Sequence, residues 1–599
     1  MFDQYTITTD PVANSIAISA IFAALPLLTL FVLLGVLRMR AWLAALISLA
    51  VSLAVAIVVY AMPAGQALLA ATEGGAFGFF PILWIVLNAI WVYNLTVASG
   101  HFDVLRRAFG RVSPDMRIQA IIIAFCFGAL LEALAGFGTP VAITVVMLMA
   151  LGFRPIHAAA VSLIANTAPV AFGALATPIV TLATVAHGAN DDPRLTVDTL
   201  GAMVGRQTPI LAVIVPLVLV AVVDGMRGVR QTWLPAIVAG VTFGIGQFVA
   251  ANYISVPLTD IVASLLSAAA VVLLVRFWQP VESPDLHAET AGADRREPGG
   301  SPAAAADELG GGSPRPVSPA PVGDGPGSVD AGSSRPGAAG TVTRATTVTT
   351  DPPAEVARAF APYLIIIAIF SIANLGPVKD ALAMEPWTYK FKWPGLDVVN
   401  AAGEPVASTT FTFGWLPAAG TLMILAGILT ALVLRIGPAV AARQYAKTYV
   451  DLRHAIVTVM AVLALAYVMN LSGQTNTLGS FLAAAGGIFV FLSSILGWIG
   501  VAVTGSDTSS NALFGALQVQ TAAKAGLDPL LLAAANSSGG VMGKMISPQN
   551  LAIAAAAVGM AGREGDIFRK VVGWSLVLLL FMCVLVTLQA TPVLGWMVP

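Results

Sequence analysis

The sequence predicts an all-α polytopic membrane protein with about 12–16 transmembrane segments. It further predicts two inverted repeats with broken or re-entrant helices. Three observations carry this reading. Only 30 basic and 31 acidic side chains occur in 599 residues, a charged fraction of 10%, where soluble chains carry about 25%. Apolar stretches long enough to cross about 30 Å of hydrocarbon follow one another along the chain. Two further regions, 117–187 and 481–560, are apolar but interrupted by Gly, Pro, Ser, Thr and Asn, and they share a pattern.

With 57% hydrophobic residues the chain lacks the polar surface to cover itself in water, which excludes a soluble enzyme. A net charge of −1 argues against a polyanion-binding tail, so nucleic acid is not an expected partner and the lipid bilayer is. Asp3 and Asp10 precede the first apolar run, where a secretory signal would carry positive charge. Spans are predicted near 13–37, 41–62, 77–97, 208–223, 234–252, 258–277, 357–375, 415–435, 454–470 and 571–596. Residues 281–355 change abruptly to Pro, Gly, Ala, Ser and Thr, and this composition predicts a disordered linker. The expected organisation is a first repeat over 1–223, connecting transmembrane helices over 224–280, the linker, and a second repeat over 356–599.

Positive loop charge sets orientation. Arg38 and Arg40, the cluster Arg106 to Arg117, Arg227 and Arg230, Arg435 to Arg453, and Arg563 to Lys570 mark inner loops. Both termini are then expected outside and the linker in the cytoplasm.

The interrupted regions share N-x6-G-x3-[ST]-P. One copy runs from Asn166 through Gly173 to Thr177-Pro178, the other from Asn536 through Gly543 to Ser547-Pro548. At the same offset, Gly136-Phe-Gly-Thr-Pro140 falls on Ser506-Asp-Thr-Ser-Ser510. The loop charges place Asn94 and its match Asn470 at opposite faces, and likewise Arg206 and Arg563, so the halves are read as inverted. Inverted repeats with broken helices mark secondary transporters.

Backbone leaves the helix at membrane depth only where protein or a cavity satisfies it. The breaks at Gly136, Gly138 and Thr139, and at Ser506, Thr508, Ser509 and Asn511, therefore predict half-helix N-termini that favour an anion. Carboxyl groups shielded from water can hold a proton near neutral pH, which makes Glu132 and Asp507 candidate proton carriers. Lys544 or Arg206 can pair with a substrate carboxylate, and a purely structural Asp507–Lys544 pair is the competing reading of those two residues. No H-E-x-x-H metal spacing, G-x-S-x-G elbow or phosphate loop occurs, so neither an enzyme, a metal site nor a cofactor is expected.

Phe125-Cys-Phe-Gly-Ala-Leu-Leu-Glu-Ala-Leu-Ala-Gly-Phe-Gly-Thr-Pro140 resembles a signature of the bacterial L-lactate permease family. So do Asn166 to Ala174, Val204-Gly-Arg-Gln207, Leu496 to Phe514, and Gly539-Gly-Val-Met-Gly-Lys-Met-Ile-Ser-Pro-Gln549. The resemblance spans nearly the whole chain. It implies uptake of L-lactate, with D-lactate and glycolate, across the bacterial plasma membrane, driven by a proton gradient. Carried over by their place in these motifs are Glu132, Asn166, Arg206, Asp507, Asn536, Lys544 and Gln549, with Asn166 or Asn536 reading the substrate hydroxyl. A sideways elevator movement is the expected motion. A sodium-coupled transporter of another small carboxylate or dicarboxylate is the alternative; a doubly charged substrate would favour more cations near the breaks than Lys544 and Arg206 supply.

Overall fold

A chain in hydrocarbon must satisfy its backbone polar groups internally, and helices do this within one segment. The computed structural model describes residues 4–37, 39–110, 112–134, 136, 138–280, 351–400 and 403–599. Among them, 10 helical runs are long and apolar enough to cross a membrane, and Thr139–Ala150, Pro155–Ala165, Ala419–Val433 and Ile488–Thr504 are shorter apolar helices. The protein is a multi-pass helical membrane protein.

The helices before the linker are α1 (Ile16–Phe31), α2 (Ala41–Val58), α3 (Ala64–Phe77), α4 (Trp84–Ala98), α5 (His101–Gly110) and α6 (Met116–Leu134). They continue with α7 (Thr139–Ala150), α8 (Pro155–Ala165), α9 (Gly173–His187), α10 (Val197–Val204), α11 (Thr208–Val249) and α12 (Thr259–Val275). After it come α13 (Pro353–Ala373), α14 (Gly376–Leu382), α15 (Ala419–Val433), α16 (Pro438–Ser472), α17 (Gln474–Ala483) and α18 (Ile488–Thr504). The chain closes with α19 (Asp507–Ala525), α20 (Pro529–Gly540), α21 (Pro548–Ala557) and α22 (Glu564–Gln589). Residues 281–350 of the predicted linker lie outside the described residues, and α13 already begins at Pro353.

The order helix, break, helix, helix, break, helix occurs twice, as α6–α7 with α8–α9 and as α18–α19 with α20–α21. Glycines in left-handed conformation make the first break of each set: Gly136 (φ 48°) and Gly138 (φ 83°), then Gly505 (φ 74°). The second breaks hold short 3-10 turns, Val170–Phe172 and Val541–Ile546. The predicted spans 208–223 and 234–252 form one run, α11, bent where Gly225 takes φ 61°.

Two elements differ from expectation. The span read from 77 has a preceding helix, α3, whose hydropathy is diluted by Gln66, Thr72 and Glu73; Gln66 and Glu73 are fully buried on its protein-facing side, while Leu68 is exposed. Four short strands also occur among the described residues: β1 (Tyr5–Thr6), β2 (Thr388–Lys392), β3 (Val398–Val399) and β4 (Thr410–Gly414). β1 pairs parallel with β3, and β2 antiparallel with β4.

Lipid-facing and protein-facing helices separate by exposure. α1 leaves Ile21, Leu25 and Leu28 exposed, and α22 does the same with Leu576, Leu580 and Val584. The apolar window of α6 is 100% buried, so its side chains meet protein only. Arg117 at its start is fully buried, held by Asp115 at 2.8 Å and Asp224 at 3.0 Å.

At the surface loop after α9, the hydrogen bonds from Arg194 hold the Asp192 carboxyl below the ordinary carboxylate range, and Arg194 also reaches Asp528 at 3.0 Å. A depressed folded-state value stabilises above the ordinary range, and the gain is lost as pH falls through the lowered value. Arg194→Gln should therefore lower thermal stability at neutral pH by under about 1 kcal/mol, and the difference from wild type should vanish in acid.

Candidate functional site

The four breaks converge, and each carries a polar side chain inward. Glu132 stands in the last turn of α6 with 3% of its surface exposed. Its Oε2 accepts from Asn166 Nδ2 at 2.9 Å, at the point where α8 ends. Its Oε1 accepts from Lys544 Nζ at 2.5 Å. Lys544 belongs to the 3-10 turn that follows α20, so this ion pair crosses from one half to the other. A Cβ on Gly173 would lie 2.7 Å from Glu132 Oε1, which reserves that position for glycine.

Asp507 repeats the arrangement in the second half. It opens α19, whose N-cap Ser506 accepts from Ser509 N–H. Oδ2 of Asp507 accepts from the Ser537 hydroxyl at 2.6 Å and from Asn511 Nδ2 at 3.4 Å, while Oδ1 has no partner among the described residues. Gly540 faces it as Gly173 faces Glu132, a Cβ there falling 2.5 Å from Oδ1. Behind it, Asn536 Nδ2 donates to Asn511 Oδ1 at 2.9 Å, and Gln518 Nε2 donates to Asn536 Oδ1 at 3.2 Å. Asn511 also donates to the Pro178 carbonyl at 3.1 Å, a second tie between halves.

Both groups open onto a cavity of about 1230 Å³. Its deep wall contains Glu132, Gly136, Lys544, Asp507, Thr508 and Ser509; Arg40, Trp42, Arg453 and His454 lie at its exposed rim. The wall also includes Ala174, the first of three consecutive residues held left-handed (Ala174, Leu175 and Ala176, φ 43°, 56° and 59°). Such backbone costs roughly 1–2 kcal/mol per residue and is characteristic of functional sites.

Of the residues singled out from sequence, Ser506 and Gln549 also line the cavity, while Asn166, Asn511 and Asn536 stand behind its wall. Gly138 and Thr139 form the start of α7, Gly138 against Ile553 and Asn550. Arg206 is not brought to the site. Its Nε donates to Asn252 at 3.0 Å and its Nη1 to the Met597 carbonyl at 2.8 Å, so it ties the C-terminal segment to α11. Nor does Lys544 pair with Asp507; Glu132 takes it. Among the described residues, no three His, Cys, Asp or Glu side chains group as a metal site.

The family model described as L-lactate permease matches residues 19–305 and 336–593. The chain belongs to the L-lactate permease family. It is 37% identical to the L-lactate permease of Bacillus subtilis (strain 168) over 100% of both chains. It is 38% identical to the L-lactate permease of Escherichia coli (strain K12) and 39% identical to the Glycolate permease GlcA of the same organism, each over 98% of both chains. In shape it is similar to the YdaH transporter of Alcanivorax borkumensis, with a TM-score of 0.45 and 15% identity over 86% of this chain and 87% of that one.

In this member of the family, several site residues escaped the sequence reading. Asn550 donates to Ser547 Oγ at 2.8 Å, to the Lys544 carbonyl at 3.2 Å and to the Gly505 carbonyl at 3.4 Å, and so fastens one break to the other. Asp260 is fully buried at the start of α12, and Gln247 Nε2 donates to it at 2.9 Å and to the Ala168 carbonyl at 3.2 Å. An Asp within an otherwise apolar predicted span was the available signal for the latter; nothing in a lone Asn after Pro548 marks the former.

Proposed function

We propose that the chain is a secondary transporter of the bacterial plasma membrane that takes up L-lactate, and also D-lactate and glycolate, together with a proton. The observation that carries this reading is the buried Lys544–Glu132 pair at the cavity wall. A monocarboxylate entering the cavity competes with Glu132 for the ammonium. Glu132 can yield only if it becomes neutral, since an unpaired carboxylate ion in that position is costly. Substrate and proton are thereby bound together, and the loaded site carries no added charge. The side-chain Oδ1 of Asn166, buried behind the wall with no partner among the described residues, can accept the substrate's 2-hydroxyl once Glu132 has moved aside. Asp507 Oδ1 and the hydroxyls of Thr508 and Ser509 complete the polar wall. Relatives named for lactate and for glycolate, both small 2-hydroxy acids, support this substrate class.

With Arg40 and Arg453 at the inner face, by the positive-charge rule, the cavity opens inward, the termini lie outside, and the linker is cytoplasmic. Movement of the broken-helix part against the remaining helices, in the manner of an elevator, would open the opposite side.

Reconstitution in liposomes tests this. Labelled L-lactate uptake should follow an imposed pH gradient with Na⁺ absent and gain nothing from its addition. Glu132→Gln should lose gradient-driven accumulation by about 100-fold, and Asp507→Asn should weaken it less. Uptake that requires Na⁺ would overturn the proton coupling; no uptake of any monocarboxylate would overturn the substrate class.

A further inference from the structure

A second acidic side chain lies deep in the protein, away from the cavity. Glu73 sits on α3 with 0% of its surface exposed, and neither carboxyl oxygen has a hydrogen-bond partner among the described residues. Its surroundings are tightly closed. A Cβ on the adjacent Gly74 would fall 2.6 Å from the Leu463 carbonyl and 2.8 Å from Ala464 Cα, so the backbones of α3 and α16 touch there. Phe77, one turn on, stacks on Tyr467 at 5.3 Å, and Tyr467 is the titratable neighbour of Glu73. α2, which also packs on α3, carries no ionisable side chain between Ala41 and Val58. The charged residues of α16 all precede Ala455. The segment between α14 and α15, which also covers α3 through Trp393 on Thr72 and Phe411 on Phe77, carries Lys390 and Lys392, both exposed, and among the described residues no cation pairs with Glu73. An unpaired carboxylate ion would be prohibitive in such surroundings. Glu73 is neutral in this conformation.

Its position along the membrane is as informative as its burial. Tyr467 lies about 20 Å along α16 from His454 at the cavity rim, at 1.5 Å per residue. Gln66, two turns before Glu73, bonds to Gly395 O at 3.2 Å and Asp397 N at 2.9 Å in the segment between α14 and α15. Glu73 thus belongs to the end opposite the cavity mouth. Tyr467 also lines a void of about 10 Å³ with Asn470 and Ser408, whose hydroxyl has no partner among the described residues. That is the threshold size for one water, held among α9, α16 and α19 on the far side of the cavity mouth. α16 also packs against α19, which begins with Asp507, so it is a wall common to Glu73 and the substrate site.

We propose that Glu73 is a second proton-binding site of the transport cycle, protonated from the face opposite the cavity mouth and required to ionise in another conformation. The carboxylate takes a proton from hydronium on that face, the Oε–H bond forming as the hydronium O–H bond breaks, and gives it to water on the cavity side when the α3–α16 contact opens. A carboxyl group that never ionised would do nothing here that glutamine or leucine could not do with fewer unsatisfied atoms. The inference rests on the proton-symport reading.

Two assays of the full-length protein in liposomes separate the possibilities: gradient-driven uptake of labelled L-lactate, and exchange of labelled for unlabelled L-lactate at equal pH on both sides. Glu73→Gln mimics the neutral form, so exchange should stay within about twofold of wild type while gradient-driven uptake falls by about tenfold or more. Glu73→Asp should recover part of the uptake with a displaced pH dependence. Unchanged uptake in Glu73→Gln overturns the proposal. Parallel loss of uptake and exchange, at wild-type protein levels, overturns it too, as does a Glu73→Asp variant no better than Glu73→Gln. Wild-type protein that accumulates no lactate under the gradient overturns the symport reading, and this inference with it.

Discussion

Replacing Lys544 by methionine should abolish L-lactate transport and destabilise the protein together. The ammonium is 7% exposed and its partner Glu132 is 3% exposed. Removing one member of a buried pair leaves the other as an uncompensated charge, at a cost of about 3–5 kcal/mol. A second substitution that neutralises Glu132 removes the stranded charge and with it much of that cost. Transport has no such escape, since the substrate carboxylate loses its counter-charge, and uptake should drop by about 100-fold or more. The double variant Lys544→Met with Glu132→Gln isolates the two effects. It should regain thermal stability, measured in detergent, without regaining uptake in liposomes. Recovery of uptake in the double variant would mean that the pair is a structural tie and that the substrate binds elsewhere.

Gly497→Ala should be nearly as damaging although it adds a single methyl group and removes no charge. A Cβ on Gly497 would fall 2.0 Å from the Asn536 carbonyl oxygen and 2.8 Å from its carbon. Backbone cannot rotate away as a side chain can, so α18 and α20 must separate. Gly539 and Gly543 make the reciprocal contacts, meeting the Ser494 carbonyl at 2.3 Å and the Trp498 carbonyl at 2.4 Å. This small-residue seam holds Asn536 against Asn511 and Ser537 against Asp507. Overpacking of this kind costs about 1–3 kcal/mol and sometimes more, and here it also displaces the hydrogen bonds of the site. Gly573→Ala is the control, since nothing lies within 4 Å of a Cβ built there. Gly497→Ala should lower the melting temperature and lose most uptake, while Gly573→Ala changes neither. A Gly497→Ala protein with wild-type stability would show that the two helices separate freely.

Much of this was readable along the chain because hydrocarbon imposes simple local rules. A segment must be apolar for about 20 residues to cross, so most of the spans stand out in composition alone. Backbone may leave the helix only where something satisfies it, so Gly136–Gly138 and Gly505–Ser506 could be read as breaks before any coordinate was known. A carboxylate within an apolar run is rare enough to attract notice, and that rule selected Glu132 and Asp507. The same rule missed Glu73 for a physical reason. One face of its helix is buried in protein and tolerates polar residues such as Gln66 and Glu73, which lower the hydropathy of the segment so that it does not stand out in sequence as a span.

Partnership is the part that only the tertiary structure decided. The sequence offers Lys544 a protein partner in Asp507, and the packing of the two halves gives it to Glu132. Arg206 sits in a family motif next to a glycine, yet its chain direction carries it to Asn252 and Met597 instead of the cavity. Gly173 is legible as a repeat-motif glycine and Gly540 only as one of a glycine pair, and both become indispensable once a carboxylate oxygen stands where their Cβ would be. Local sequence determines which segments enter the membrane and where they break, because those choices depend on each segment's own transfer energy and backbone. It does not determine which buried charge meets which, because that depends on side chains hundreds of residues apart being brought within 3 Å by the packing of everything between them.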